Sequence, residues 1–257
     1  PVVKHSKHDE WVPEMIFSNL KAGSNFDDSE ARLVAGTNGV GATLTNIFSL
    51  EFTINTCDGK KEFLQTFNDN MRKRAEPQVT KNKSKGFTQI TYKPDYKQFG
   101  MASLDEDHIQ MMRKRCADLA ACNPLLKVYF NGKRFSYPSF AAYCRLYVDD
   151  VVYEASERWR IAIGPSAGSL QQVSFVNGVA TSDGGTHVDY VASQVVDAVR
   201  ARLKKRHKVD LRPSEIKNHM FVFVSADIVN SSFSSQTKEK LITDARDFGS
   251  KHALSEK

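Results

Sequence analysis

The 257 residues include only four cysteines, Cys57, Cys116, Cys122 and Cys144, and no Cys-x-x-Cys pair. No histidine pair at ligand spacing accompanies them. That scarcity argues against a zinc site and a disulfide framework, and it suits a reducing compartment. Long apolar runs are missing too. The longest strongly apolar stretch, residues 220–224, falls far short of the ~20 residues that a membrane helix needs, and it reads as a buried strand. No secretory leader is visible in these residues and no internal repeat is seen, and an intracellular place, nuclear or cytoplasmic, is expected. The chain opens on Pro1 without a methionine, as expected of a fragment, a processed product or one piece of a split protein.

Charge of one sign is in modest surplus only. There are 36 basic and 30 acidic residues, giving +6 and a pI near 9.1. This favours an anionic partner mildly; where the charge sits matters more than its sum. Hydrophobic residues make up 40% and charged residues 26%, the balance of a globular protein of one large or two ordinary domains.

Apolar spacing at Trp11, Met15, Ile16 and Leu20 predicts a helix over 11–20, followed by a polar loop over 22–30. A second helix is expected over 42–48. Alternation predicts strands over 50–56 and 63–71 around the turn Cys57-Asp58-Gly59-Lys60. Residues 75–86 read as a lysine-rich loop, 87–92 as a strand and 104–119 as an amphipathic helix. Asn131-Gly132 between 127–130 and 133–135 is a strong hairpin signal. Strands follow over 159–163 and 171–176, with turns at Asn177-Gly178 and Asp183-Gly184-Gly185. A helix over 188–203 ends in basic residues, 220–228 is a strand, and 230–240 is a polar loop. The fold class is α/β (α+β), in two lobes, 1–145 and 146–257.

Two motifs far apart in the chain carry the chemistry. Gly36-Thr37-Asn38-Gly39-Val40-Gly41-Ala42 is a glycine-rich turn opening a helix, where backbone N–H groups can meet phosphate oxygens. It lacks the Lys-Ser/Thr of a Walker A loop and the third glycine of a dinucleotide fingerprint. An ordinary loop before a helix is the plain alternative. Ser24 and Asn25 precede it and by default cap a helix. Gln236-Thr237-Lys238 lies in the 230–240 loop; alone, such a lysine is simply solvated. Brought to a nucleotide, it can neutralise the terminal phosphate. Lys204, Lys205 and Arg206 either complement a helix dipole or bind DNA phosphates without base specificity. His187 near Asp189 invites a catalytic reading, but no serine or cysteine nucleophile accompanies it, and a structural histidine is the default.

Taken together and in order, these segments resemble the ATPase region of the type IIA DNA topoisomerases, closest to the eukaryotic and viral type. The glycine turn, continuing through Leu44-Thr45-Asn46-Ile47-Phe48-Ser49, resembles the ATP lid. Residues 175–181 and Gly184-Gly185-Thr186-His187-Val188-Asp189-Tyr190 resemble the transducer. Ser235-Gln236-Thr237-Lys238-Glu239 is similar to the Gln-Thr-Lys loop, and 248–251 and 254–257 resemble the segment beyond it. The Gln-Thr-Lys loop and the Gly-Gly-Thr-His-Val-Asp run disfavour other GHKL proteins, such as mismatch-repair ATPases and chaperones.

The resemblance implies a partial GHKL-type ATPase lobe followed by a transducer with a mixed sheet and a long helix. It implies ATP and Mg²⁺ as cofactors, double-stranded DNA as a partner, and a homodimeric gate in the complete enzyme. Ser24, Asn25 and Gly36, Thr37, Asn38, Gly39, Val40, Gly41, Ala42 and Thr43 would hold ribose and phosphates. Gln236 and Lys238 would reach the γ-phosphate, and Lys204-Lys205-Arg206 would contact DNA. Thr37, Thr43 and Gly23 stand where the family often has arginine, lysine and serine. The family's general-base glutamate, its Mg²⁺-holding asparagine and its adenine-reading aspartate belong to an upstream segment. The DNA-cleaving tyrosine lies downstream. The chain alone is therefore expected to lack efficient ATP hydrolysis and to work with the rest of the enzyme. A non-enzymatic DNA-binding or assembly subunit that has lost ATP turnover is the alternative.

Overall fold

A computed structural model describes residues 1–26 and 29–255. Asp27, Asp28, Glu256 and Lys257, which fall in the predicted 22–30 loop and in the last resembling segment, lie outside the described residues. The chain divides into two compact units. One comprises Pro1–Asp28 and Gly36–Asp105; the other comprises Ser29–Ala35 and Glu106–Lys257.

The first unit is built on a central strand, β1 (Ser49–Cys57), flanked by β2 (Lys61–Asn68) and β5 (Phe87–Pro94), all antiparallel. The short strands β3 (Lys73–Arg74) and β4 (Gln78–Lys81) pair with β2. Period-two alternation puts Phe52 and Ile54 of β1 beside Phe63 and Phe67 of β2 in one buried cluster, under Val2, Trp11 and Phe17. The β1–β2 turn is set by Asp58, whose Oδ1 accepts from the backbone N–H of Lys60 and Lys61, each at 2.9 Å. A bond from the Val2 N–H, with these two, holds the Asp58 carboxyl down to about 2. Helix α1 (Val12–Ser18) starts with Pro13 in its first turn and stops where Asn19 turns extended. Helix α2 (Gly41–Ile47) packs against α1.

Two expectations change in this unit. The second strand stops at Asn68, not at 71, because Asp69, Asn70 and Met71 all take left-handed backbone angles. The lysine-rich stretch 75–86 is not all loop. It contains β4, an edge strand whose Val79 packs against the core while its polar neighbours stay in water.

The second unit is a five-stranded mixed sheet in the order β11-β10-β12-β9-β8. Its strands are β8 (Val152–Ala155), β9 (Trp159–Pro165), β10 (Gln171–Val176), β11 (Val179–Ala180) and β12 (Met220–Ala226). Only β10 and β12 run parallel. Before the sheet come α3 (Glu106–Cys122), the hairpin β6 (Val128–Phe130) and β7 (Lys133–Phe135), and α4 (Phe140–Cys144). Within it come the long helix α5 (Thr186–His207) and the short α6 (Pro213–Lys217). Strand β12 is buried on both faces. Val222 and Val224 join Val188, Val191 and Val196 of α5, while Phe223 joins Phe140 and Tyr143 of α4. That double burial is why residues 220–224 are apolar without alternation.

The unit boundary falls at Asp105/Glu106, earlier than the expected 145. The physical reason is that Ala121 and Cys122 of α3 bury against Phe175 and Phe223 of the second sheet. A buried bond from Tyr143 Oη to Asp118 Oδ1, 2.5 Å, ties α4 to α3. Ser29–Ala35 also belongs with the later residues. Arg32 and Asn230 bond reciprocally, at 3.1 Å from the Arg32 N–H to the Asn230 side chain and 3.0 Å back to the Arg32 carbonyl.

Helix α5 begins at a glycine with no room for a side chain. Gly185 has φ +129°, and a Cβ there would lie 2.3 Å from the Leu241 carbonyl oxygen and 2.6 Å from its nitrogen. Gly185→Ala is therefore expected to cost roughly 3 kcal/mol or more of stability, read by chemical denaturation of the whole chain. A change under about 0.5 kcal/mol would contradict this packing.

Candidate functional site

The glycine turn is fastened to the segment before it by backbone contacts. The Lys21 N–H donates to the Gly39 carbonyl at 3.0 Å, and the Asn25 side-chain amide donates to the Gly36 carbonyl at 2.9 Å. Asn25 thus braces the turn; the helix-capping role expected of it by default is not what the structure shows. Gly39 has φ +58°, and a Cβ on it would meet the Gly23 nitrogen at 2.5 Å, so two backbones touch here and only glycine fits.

Gly36 and Gly41 differ. Neither has a left-handed φ, and a Cβ on either would meet nothing within 4 Å. Protein packing does not demand glycine at these two positions. They border open space, so a partner could approach the backbone closely there. Helix α2 has Val40 as its N-cap residue, with no side-chain cap, so its first-turn N–H groups lack a protein side-chain acceptor at that position. Ser24, Asn38 and Ala42 are exposed, and Thr37 is half-buried. Thr43 departs from expectation. It is buried, and its hydroxyl donates to the Asn19 carbonyl at 3.0 Å, which directs the side chain inward.

The lysine loop is held at its base and turned tightly at its tip. Phe233 and Leu241 bridge antiparallel across it, and Ser234 N–H donates to the Lys240 carbonyl at 3.0 Å. At the tip, Lys238 N–H donates to the Ser235 carbonyl at 3.1 Å, and Ser235 and Thr237 hydroxyls bond at 2.7 Å. Lys238 takes φ +63°, a left-handed conformation that costs a non-glycine residue about 1 kcal/mol or more. Its Nζ donates to the Ala35 carbonyl at 2.7 Å. Ala35 precedes Gly36 in the chain. Burial lowers the Lys238 pKa, and among the described residues its ammonium makes no ion pair. Gln236 is exposed at the loop tip. The Ala35 contact was invisible in the sequence, because a carbonyl acceptor leaves no residue signature.

Lys204, Lys205 and Arg206 form the last turn of α5 and are all exposed. Nearby Arg200 is engaged by Asp210, Nε to Oδ1 at 2.6 Å. The dipole role is therefore met in geometry, and the three cations still face water. His187 is fully buried at the head of α5. Its Nε2 lies 3.1 Å from the Thr181 hydroxyl, itself 2.5 Å from the Ser174 hydroxyl, and Nδ1 has no partner among the described residues. Its full burial fits the structural role expected of it by default. No group of three or more His, Cys, Asp or Glu side chains able to hold a metal occurs among the described residues.

Residues 132–257 match the family model described as DNA gyrase B. DNA topoisomerase 2 of Arabidopsis thaliana is 44% identical over the whole chain, which spans 18% of that protein's length. The ATPase region of Saccharomyces cerevisiae topoisomerase II, solved bound to ICRF-187 (dexrazoxane), is 39% identical with a TM-score of 0.93; the match covers 99% of this chain and 69% of that one. The ATPase and transducer domains of DNA topoisomerase II from Balamuthia mandrillaris are 42% identical with a TM-score of 0.94, over 99% of this chain and 68% of that one.

Burial depresses the His187 pKa from 6.5 to about 3. The unfolded chain therefore takes up a proton near pH 6.5 that the folded chain refuses until about pH 3. Stability from this group is complete above pH 6.5 and falls as the pH drops from there. Between pH 7 and pH 5 the wild type should lose about 2 kcal/mol more than His187→Gln, measured by denaturant titration. Equal losses would mean that the imidazole is accessible to protons in the fold.

Proposed function

Since the chain belongs to the type IIA DNA topoisomerases, as the lid and transducer portion of their ATPase region, we propose that it binds the phosphates of ATP and couples nucleotide binding and hydrolysis to closure of a DNA gate and passage of a duplex. One observation carries this reading above the others. Lys238 is a half-buried ammonium in a left-handed turn that rests on a backbone carbonyl, with no carboxylate ion-paired to it among the described residues. Its charge is unspent and its position is set. A terminal phosphate is the partner that such a charge suits.

The glycine turn supplies the second part. Gly36 and Gly41 leave room that a Cβ would fill, and the first-turn N–H groups of α2 suit phosphate oxygens. Ser24 and Asn25 flank the turn to which Thr37, Asn38, Gly39, Val40 and Ala42 belong, and the Thr43 hydroxyl contributes by anchoring α2 on the Asn19 carbonyl rather than by meeting phosphate. Gln236, at the tip of the same loop as Lys238, would share the γ-phosphate. When bound, ATP supplies the phosphoryl group whose transfer to water releases free energy. The residues of this chain hold and orient it, and Lys238 offsets charge on its terminal oxygens. Mg²⁺ would accompany the nucleotide, held by residues of the rest of the enzyme, since no group of three or more His, Cys, Asp or Glu able to hold it occurs among the described residues.

Lys204, Lys205 and Arg206 would contact duplex DNA through its phosphates, independent of sequence. The remaining partners are the rest of the topoisomerase and a second copy in a homodimeric gate. The setting would be nuclear or cytoplasmic, where the DNA is. No helix among the described residues is long and apolar enough to cross a membrane.

Gly36→Ala and Gly41→Ala should leave folding stability within about 1 kcal/mol of wild type, since each added methyl meets open space. In the complete enzyme carrying this chain, both should weaken a non-hydrolysable ATP analogue at least about tenfold, read from its thermal stabilisation of the protein. Unchanged nucleotide affinity with unchanged stability would remove the glycine turn from the phosphate site.

A further inference from the structure

The β6–β7 hairpin is absorbed neither by the nucleotide reading nor by the basic end of α5. Its two faces differ sharply. Val128, Phe130 and Phe135 are half-buried, and the hairpin packs along α3. Lys127, Tyr129 and Arg134 are exposed, Tyr129 to 54% of its surface. The register pairs Tyr129 directly with Arg134 across the strands, so aromatic ring and guanidinium share the outer face. Asn131 and Gly132 have φ +47° and +74°, the two left-handed residues of a tight hairpin turn, and Lys133 follows at the exposed tip. Lys127 and Arg134 thus share the outer face with Tyr129, while Lys133, paired with Phe130, leaves the ribbon at its exposed tip.

The chain segment around it carries charge of one sign. The chain has 30 acidic residues, yet residues 119–148 contain no Asp or Glu. Among the described residues, Lys127, Lys133 and Arg134 form no ion pair. The nearest carboxylate in sequence, Asp118 of α3, is buried and already bonded to Lys114 and Tyr143. The ribbon's charge is therefore neither neutralised locally nor needed to close a helix.

We infer that the outer face of the β6–β7 hairpin is a second contact for duplex DNA, separate in the chain from Lys204-Lys205-Arg206. Lys127 and Arg134 meet phosphates from that face, Lys133 does so from the adjoining tip, and Tyr129 packs on the sugar edge. This rests on the reading of the chain as part of a DNA-handling enzyme. The chemistry favours nucleic acid over an acidic protein. Protein interfaces are depleted in lysine and surrounded by mixed polar rims, whereas phosphate contacts draw on clustered Lys and Arg of one sign. A two-stranded ribbon also fits the width of a major groove.

The test is fluorescence anisotropy of a labelled duplex of about 30 base pairs with the full chain across a salt series. The triple variant K127A/K133A/R134A is compared with K204A/K205A/R206A and with a charge-matched control, K81A/K83A/K85A. Loss of three phosphate contacts should lower the steepness of log K against log salt by about 2.7 and weaken binding at least about tenfold near 0.1 M salt. Tyr129→Ala should weaken binding with the salt slope unchanged, because it removes a contact and no charge. All four residues are exposed, so circular dichroism should show the same fold throughout. If the hairpin variant behaves like the control while the α5 variant loses affinity, the hairpin contact is wrong and the functional reading stands. If poly-glutamate competes as well as DNA at equal charge, the surface belongs to an acidic polypeptide and the inference falls. If wild type binds no duplex even at low salt, the inference and the DNA reading fail together.

Discussion

Leu241 is fully buried, and its backbone closes the lysine loop onto the head of the long helix. Its N–H donates to the Gly184 carbonyl at 3.1 Å, and its carbonyl accepts from Thr186 N–H at 3.3 Å. Everything proposed for Lys238 depends on this clasp. Without it, a loop of serines and charged residues would have no reason to hold one conformation, and a left-handed lysine would relax. Gly185 makes the clasp possible by having no Cβ, and the flanking residues reinforce it. Asp183 N–H donates to the Glu239 carbonyl at 2.9 Å, and the Thr186 hydroxyl donates to the Thr243 carbonyl at 2.6 Å. The same residues start α5, whose far end carries the exposed basic turn. A single backbone junction thus fixes both the loop that carries Lys238 and the origin of the helix that ends in Lys204, Lys205 and Arg206.

The elements most legible in the sequence were those whose local chemistry and tertiary role agree. The Asn131-Gly132 hairpin and the 171–176 strand appear within the expected bounds, because turn chemistry and alternation each have one structural solution. Strand β12 was legible by its apolar run. Elements set by tertiary packing were not. Strand β4 lies in a lysine-rich stretch and is recruited by the edge of β2. Helix α4 has only five residues and depends on Ser139, whose Oγ accepts from Ala142 N–H at 3.2 Å, and on burial of Phe140 and Tyr143. The division at Asp105/Glu106 is hard to read from sequence because α3 joins the second sheet through Ala121 and Cys122, residues too small to announce a core face.

The candidate site was legible as motifs and illegible as contacts. Composition marked the glycine turn and the lysine loop, but it could not separate Gly39, required by backbone crowding, from Gly36 and Gly41, which border open space. Nor could it show that Thr43 turns inward to Asn19, that Asn25 braces Gly36, or that the Lys238 ammonium rests on Ala35. Those partners are backbone carbonyls, and any residue type supplies a carbonyl. What sets Lys238 apart from a solvated lysine is the combination of partial burial, a left-handed φ and an uncharged acceptor.

The central claim is that Lys238 answers the terminal phosphate and no other part of the nucleotide. The direct measurement is the affinity ratio of a non-hydrolysable ATP analogue to ADP in the complete enzyme carrying this chain, with and without Lys238→Ala. The account predicts that the substitution weakens the triphosphate by about tenfold or more, roughly 1.4 kcal/mol, and leaves ADP within about twofold, so that the preference collapses. Equal weakening of both nucleotides, or of neither, would contradict it.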